Sequence, residues 1–318
     1  MQNTKMKAIV IEEYGGQNAL KEKIVEKPPL LDNQVLIEVK AASVNPIDWK
    51  LREGQLADQY AFEFPIILGL DVAGIVKEVG KHVVEFTNGD RVFARPDTTR
   101  YGAYAEYTAV DELLIAKIPD NLSFKEAASV PLAGMTAYQC LFDALEIMEG
   151  QKILIHGGAG GVGSYAIQLA KLKGAYVATT ASKKNHGFLR ELGADLCIDY
   201  HTENIEDKLT EYDAVLDTIG TSVQTASMKI LRRGGRLVSI VDPPNEELAN
   251  RYGITEEFVW LNPNGNQLKE LAKLLSEERL KPVVGETFPL NEKGIKNAHE
   301  LSESSHARGK IVLVADKI

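Results

Sequence analysis

At 318 residues, 44% hydrophobic and 25% charged, the chain has the composition of a soluble globular protein and the length for two domains of roughly 100 to 200 residues each. Its 36 Lys and Arg against 45 Asp and Glu give a formal net charge of −9, which argues against general affinity for nucleic acid or an anionic membrane. Cys140 and Cys197 are the only cysteines, too few for a disulfide framework or a four-thiolate zinc lobe, and suited to a reducing compartment.

The opening MQNTKMKAIVIEEYG has no apolar core of signal-peptide length, and no run of about 18 apolar residues occurs further on, so the expected location is cytoplasmic, with no membrane partner. Alternating apolar residues predict strands at 7–11 and 34–42, two more strands are predicted at 72–79 and 91–94, and Gly15, Gly16, Gly69, Gly80 and Gly89 punctuate them. A β-rich, partly closed barrel follows for residues 6–119. Ser123 and Glu126 form a capping-box pattern, predicting helix over 127–148 with a break near Pro131. Strands at 153–156, 176–180, 196–198, 214–217 and 236–241 then alternate with helices at 162–173, 185–192 and 222–231, the pattern of a doubly wound parallel sheet. An amphipathic helix is predicted at 267–278. From 282 on the texture returns to strand, ending at 310–314, and this tail is expected to rejoin the first domain. The expected domains are 1–122 with 283–318, and an inserted 123–282.

The inserted part opens on KILIHGGAGGVGSYAIQLAKLK, residues 152–173. A buried strand runs into Gly158, Gly160 and Gly163 at GxGxxG spacing, and then into an amphipathic helix. The first glycine turns the chain, the second lets a pyrophosphate touch backbone, and the third lets helix pack on strand. Free amides at the helix N-terminus suit a phosphate, so dinucleotide binding is expected. In NAD-binding proteins an acid about 20 residues further on reads the ribose 2′-hydroxyl. Here residues 179–185 read TTASKKN, with a serine and two lysines in its stead, which is chemistry for a 2′-phosphate.

Motifs along nearly the whole chain resemble the medium-chain dehydrogenase/reductase superfamily, in its zinc-free quinone oxidoreductase branch. They are ASVNPIDWKLREG (42–54), PIILGLDVAGIV (65–76), VGKHVVEFTNGDRV (79–92), YGAYAEY (101–107), AASVPLAGMTAY (127–138), the glycine loop and HARGKIVL (306–313). The resemblance implies an α/β fold, a GroES-like β-barrel domain plus a Rossmann parallel-sheet domain. Zinc-dependent members hold the metal through Cys, His and Cys; the matching positions here are Asn45, Leu70 and Leu132. Leucine cannot ligate zinc, so no metal is expected. The six histidines, His82, His156, His186, His201, His299 and His306, read as surface or capping residues.

Without a Lewis acid, reduction of an electron-poor acceptor is the chemistry to expect, and it needs a hydrogen-bond donor for the developing oxyanion plus a proton. The resemblance puts Asn45 forward as that donor, although Asn45 also reads as a turn former before Pro46. Asp48, of an NxxD pattern, is expected to orient Asn45 or nearby backbone; Tyr60, in the stretch QLADQYAFEF, is a candidate proton donor. The family pattern assigns the 2′-phosphate of NADPH to Ser182, Lys183 or Lys184, Tyr200 and, in some relatives, the position of Arg308. It further places Ala159, Gly161 and Val162 on the pyrophosphate, Thr136 near the nicotinamide, Thr218 beside the adenosine and Val241 near the carboxamide.

The expected function is an NADPH-dependent, zinc-independent reductase of a quinone or an α,β-unsaturated carbonyl. The alternatives are an NADPH-binding sensor without turnover and a zinc alcohol dehydrogenase. Residues 56–64 and 245–264 are expected to line the substrate pocket, and an edge strand around 238–241 to join a homodimer.

Overall fold

The computed structural model describes residues 4–315. In chain order the first strands are β1 Lys5–Ile11, β2 Lys21–Glu26 and β3 Gln34–Val44, followed by helix α1 Pro46–Arg52. Then come β4 Ile66–Ile67, β5 Val72–Val79, β6 Arg91–Ala94, β7 Tyr107–Asp111, β8 Ile115–Lys117, α2 Phe124–Ala128 and α3 Pro131–Tyr138. A π-helical segment, Gln139–Ala144, leads into β9 Lys152–Ile155, α4 Gly161–Leu172, β10 Tyr176–Ala181, α5 His186–Glu191, β11 Leu196–Asp199, β12 Tyr212–Asp217, α6 Thr221–Ile230 and β13 Leu231–Ser239. The chain closes with α7 Glu246–Tyr252, β14 Thr255–Phe258, α8 Gly265–Ser276, β15 Val284–Pro289, α9 Glu292–Glu303 and β16 Lys310–Val314.

Two compact units result: residues 1–132 with 263–318, and residues 133–262. The outermost three residues at each end lie outside the described residues. Both divisions differ from the expected 122/123 and 282/283 because the flanking helices pack on the barrel. In the first unit α2 lies against β3 and β5, and α8 lies against β8. At its start, a Cβ on Gly265 would come within 2.3 Å of the Leu113 carbonyl oxygen, so that helix is seated on the backbone of the first unit.

The first unit is built around β3. Along one side β3 pairs antiparallel with β5, while its other partners are β7, at residues 34–38, and β16, at residues 41–44. The alternating Val35, Ile37 and Val39 that predict the strand are all buried in the barrel core with Val76, Val92 and Ile115. Beyond that core, the 282–318 tail is not all strand: α9 intervenes, and its Ile295, Ala298 and His299 share one buried helical face. A short helix, α1, likewise follows Asn45, where no helix is predicted from the sequence.

The second unit carries a parallel sheet ordered β11-β10-β9-β12-β13-β14. Its direction of winding reverses between β9 and β12, so the loops leaving those two strands flank the switch point where open α/β sheets hold ligands. Helix α4 buries Ala166, Leu169 and Ala170 of the apolar stripe Val162, Ala166, Leu169 and Ala170, together with Tyr165 and Ile167, while Val162 is half-buried. One expectation is overturned here: β13 is paired on both sides, by β12 and β14, so residues near Val238 offer no free edge. The added strand β14 takes the edge, and Phe258 belongs to it. No described helix is long and apolar enough to cross a membrane.

Candidate active site

In the second unit β9 ends at Ile155 and the chain turns at Gly157, which has a positive φ of 62° that glycine alone adopts freely. A Cβ on Gly158 would sit 2.0 Å from Thr179 Oγ1, and one on Gly163 would sit 2.4 Å from the Gly157 oxygen. Both glycines are demanded by the protein's own packing. Gly160 differs, since its Cβ would meet only the Gly157 oxygen, at 3.3 Å, leaving room over the loop for a ligand. As N-cap of the twelve-residue α4, Gly160 provides no side chain to cap the helix, so the first amides of that helix remain for an anion. The loop therefore fits a dinucleotide pyrophosphate, with Ala159, Gly161 and Val162 contributing backbone.

Neighbouring strand ends extend this edge. Because β10 and β11 run parallel with Ala181 opposite Asp199, Ser182 and Tyr200 each leave the sheet one residue later, at the same level. Lys183 and Lys184 follow Ser182, both exposed, and neither forms an ion pair among the described residues. Asn185 donates to Ser182 Oγ at 3.2 Å, and Tyr200 is 55% exposed against His201. These residues fit a 2′-phosphate. At the end of β12, Thr218 Oγ1 donates to the His156 carbonyl at 2.8 Å and stands beside Gly157. Val241 lies two residues past the end of β13, half-buried, and Thr136 is buried within α3.

His156 at the root of this loop is buried, not a surface residue, and its ring bridges Thr180 Oγ1 at 3.0 Å and Ser227 Oγ at 2.8 Å. Burial pushes its pKa down to about 4, so the ring is neutral.

In the first unit the three positions matching zinc ligands surround a polar cluster. Asp71, next to Leu70, is fully buried and accepts from Ser43 Oγ at 2.6 Å, Asn45 Nδ2 at 2.8 Å and Lys310 Nζ at 3.1 Å through one oxygen, and from the Leu132 amide at 2.7 Å through the other. Lys310 Nζ also donates to the Val44 carbonyl at 3.2 Å and to Asn45 Oδ1. Asn45 is 2% exposed and N-caps α1, where Asp48 Oδ2 accepts its backbone N–H at 2.8 Å. Among the described residues no three His, Cys, Asp or Glu side chains gather as a metal set.

Asp48 is itself fully buried, with Oδ1 unpartnered among the described residues, and burial raises its pKa to about 7. A hydrogen-bond chain ends on it: Tyr104 Oη lies 3.2 Å from Asp48 Oδ2 and 3.2 Å from His299 Nε2, and His299 Nδ1 lies 3.1 Å from Arg52 Nη1. Arg52 pairs in turn with Glu303 at 2.7 Å and Glu53 at 2.6 Å. His299 is thus the second histidine misplaced by a surface reading, and the cause is the unpredicted helix α9, which turns it inward. Arg95 is another buried cation near this cluster; burial lowers its pKa against the charges of Asp71, Tyr60, Asp48 and Asp97.

Tyr60 is half-buried, stacks on Phe62 with ring centroids 5.7 Å apart, and accepts a long bond from Gln59 at 3.4 Å. Its own hydrogen has no acceptor among the described residues. Arg308 is exposed, two residues before β16. Sequence reasoning missed Asp71, Lys310, Tyr104, His299 and Arg52, although Lys310 stands in the HARGKIVL motif and Asp71 in the GLD that replaces a zinc-binding triplet.

A glycine-looped parallel sheet with a basic strand end in one unit, and an amide at a metal-ligand position in the other, define a nicotinamide-dependent oxidoreductase. Residues 31–120 match the alcohol dehydrogenase GroES-like domain, and residues 192–313 the zinc-binding dehydrogenase domain. The chain belongs to the medium-chain dehydrogenase/reductase superfamily, in its zinc-free quinone oxidoreductase branch. It is 40% identical, over 97% of its length and 79% of the relative's, to the chloroplastic NADPH-dependent alkenal/one oxidoreductase of Arabidopsis thaliana. To the 2-methylene-furan-3-one reductase of Solanum lycopersicum it is 38% identical, over 98% of the chain and 79% of the relative. The solved quinone oxidoreductase of Coxiella burnetii superposes with a TM-score of 0.90 at 39% identity, covering 98% of this chain and 99% of that one.

Proposed function

We propose that the chain is an NADPH-dependent, zinc-independent reductase that transfers hydride to an α,β-unsaturated carbonyl or a quinone. The observation that carries the reading is at Asn45, where a neutral amide donor occupies the first ligand position and leucines occupy the other two. The names of the relatives point to the same class of acceptor.

Bound NADPH supplies a hydride from its nicotinamide ring. The residues of the chain do the rest. Backbone amides of Ala159, Gly161 and Val162 hold the pyrophosphate. Ser182, Lys183 or Lys184, and Tyr200 hold the 2′-phosphate, and Thr136, Thr218 and Val241 border the remaining cofactor. With an enone, a C–H bond forms at the β-carbon, the π electrons move to the carbonyl oxygen, and that oxygen becomes an enolate. Asn45 Nδ2–H stabilises this charge, as a preorganised donor does in an oxyanion hole. Asp48 holds the Asn45 backbone, and Tyr60, whose hydrogen is uncommitted, supplies the proton.

A homodimer would form through the free edge of β14, and the expected compartment is the cytoplasm. The test is a screen of NADPH oxidation against 2-enals, enones and quinones, with NADH in parallel. Failure of every acceptor, with NADPH bound, would favour the sensor alternative.

A further inference from the structure

The amide of Asn45 has two ends, and donor–acceptor accounting settles which faces where. An ammonium only donates, so the atom that Lys310 Nζ contacts must be the amide oxygen. A carboxylate only accepts, so the atom at 2.8 Å from Asp71 Oδ2 must be the amide nitrogen. The two contacts agree. Lys310 and Asp71 are 3.1 Å apart, 4% and 0% exposed in their side chains, and each is held by further bonds: Lys310 to the Val44 carbonyl, Asp71 from Ser43 and from the Leu132 amide. The pair therefore cannot turn without breaking a buried network. One hydrogen of Asn45 Nδ2 is used on Asp71, and the second has no acceptor among the described residues.

We propose that Lys310 and Asp71 are positioning residues that lock the orientation of the Asn45 amide, so that the remaining Nδ2–H, and never the carbonyl oxygen, faces the substrate oxygen. The proposal rests on the reading of Asn45 as the oxyanion donor. In a metal-dependent site the charge of the ion orients its own ligands; here a buried ion pair does it from behind a neutral donor. An amide free to flip would present its oxygen for part of the time, repelling the developing negative charge.

A double-mutant cycle tests this, with kcat for an enone and the Kd of NADPH by fluorescence as readouts. Asn45→Ala is expected to lower kcat about 100-fold, the scale of one oxyanion donor. Lys310→Met is expected to lower kcat by about 10- to 100-fold with the Kd of NADPH unchanged, and to cost less than about twofold further when added to Asn45→Ala. Lys310→Arg, which still only donates, should recover most of the activity. If Lys310→Met fails to fold, the isosteric Asp71→Asn takes its place: its side-chain amide also donates, so it removes the acceptor-only partner and should give the same pattern. Multiplying losses, or a folded variant with unchanged kcat, would overturn the lock while leaving Asn45 as donor. An unchanged kcat in Asn45→Ala would instead remove the donor reading itself.

Discussion

Arg52 donates to His299 Nδ1 across 3.1 Å, and because a guanidinium has no acceptor this single contact fixes the tautomer of a buried ring. With Nδ1 accepting, the ring hydrogen sits on Nε2 and points to Tyr104 Oη; the tyrosine hydrogen then points to Asp48 Oδ2. Every hydrogen in the chain is aimed at the carboxylate that caps α1 beneath Asn45. Such a chain orients Asp48 and cannot deliver it a proton, since giving up the Nε2 hydrogen would leave an imidazolate.

Tyr104→Phe should therefore act on stability and on Asn45 together. It strips a donor from Asp48 and an acceptor from His299, both buried, and a loss of about 1–3 kcal/mol in urea unfolding is expected. A change within a few tenths of a kcal/mol would show the chain to be slack.

Acid should destabilise the fold before its surface carboxylates titrate. The folded pKa values of His156 and His299 are pushed down to about 4 and about 3, mainly by burial. Below the ordinary histidine pKa of about 6.5 the unfolded chain takes up protons that the folded chain refuses, so stability falls as pH drops. Asp48, raised to about 7, works the other way: it takes its proton in the folded state first, and its contribution is lost as pH rises through 7. Two histidines outweigh one carboxyl between about pH 6.5 and about pH 4. The urea midpoint should accordingly be lower at about pH 5 than at about pH 7.5, and an equal or higher midpoint at the lower pH would contradict the neutral burial of both rings.

The glycine loop separates packing from binding. Gly163→Ala drives a methyl to 2.4 Å from the Gly157 oxygen and should destabilise the second unit by about 1–3 kcal/mol. Gly160→Ala meets only one atom, at 3.3 Å, and should leave the melting temperature nearly unchanged while weakening NADPH binding. Equal effects of the two on melting would remove this distinction.

Removing both unpaired lysines, as Lys183→Ala with Lys184→Ala, should raise the Kd of NADPH by about 10- to 100-fold, the scale of one charge-assisted bond, and leave that of NADH unchanged. Fluorescence titration checks it. Equal weakening of both cofactors would mean that the lysines act on something other than the 2′-phosphate.

The nucleotide unit is legible in the sequence because each of its signals is local: an apolar strand, a glycine spacing, an acid-free strand end. The polar cluster at Asn45 is not, since Asp71, Lys310 and His299 lie 26 to 266 residues from their partners and only the barrel pairing of β3 with β5 and β16 gathers them. Without α9 in the prediction, His299 loses its helical face and reads as polar surface. The small strands β2, β4, β7 and β8 fail for a related reason. Each is short or largely exposed, so its apolar alternation is weak while its pairing is decided by neighbours distant in sequence.

The most direct measurement is the fate of the transferred hydrogen. NADPH deuterated at the nicotinamide C4 position, turned over with an enone, should leave its label on the β-carbon of a saturated ketone, with no label on the carbonyl carbon. Label recovered on the carbonyl carbon of an allylic alcohol, or no transfer to any electrophile despite bound NADPH, would contradict a metal-free reduction governed by Asn45.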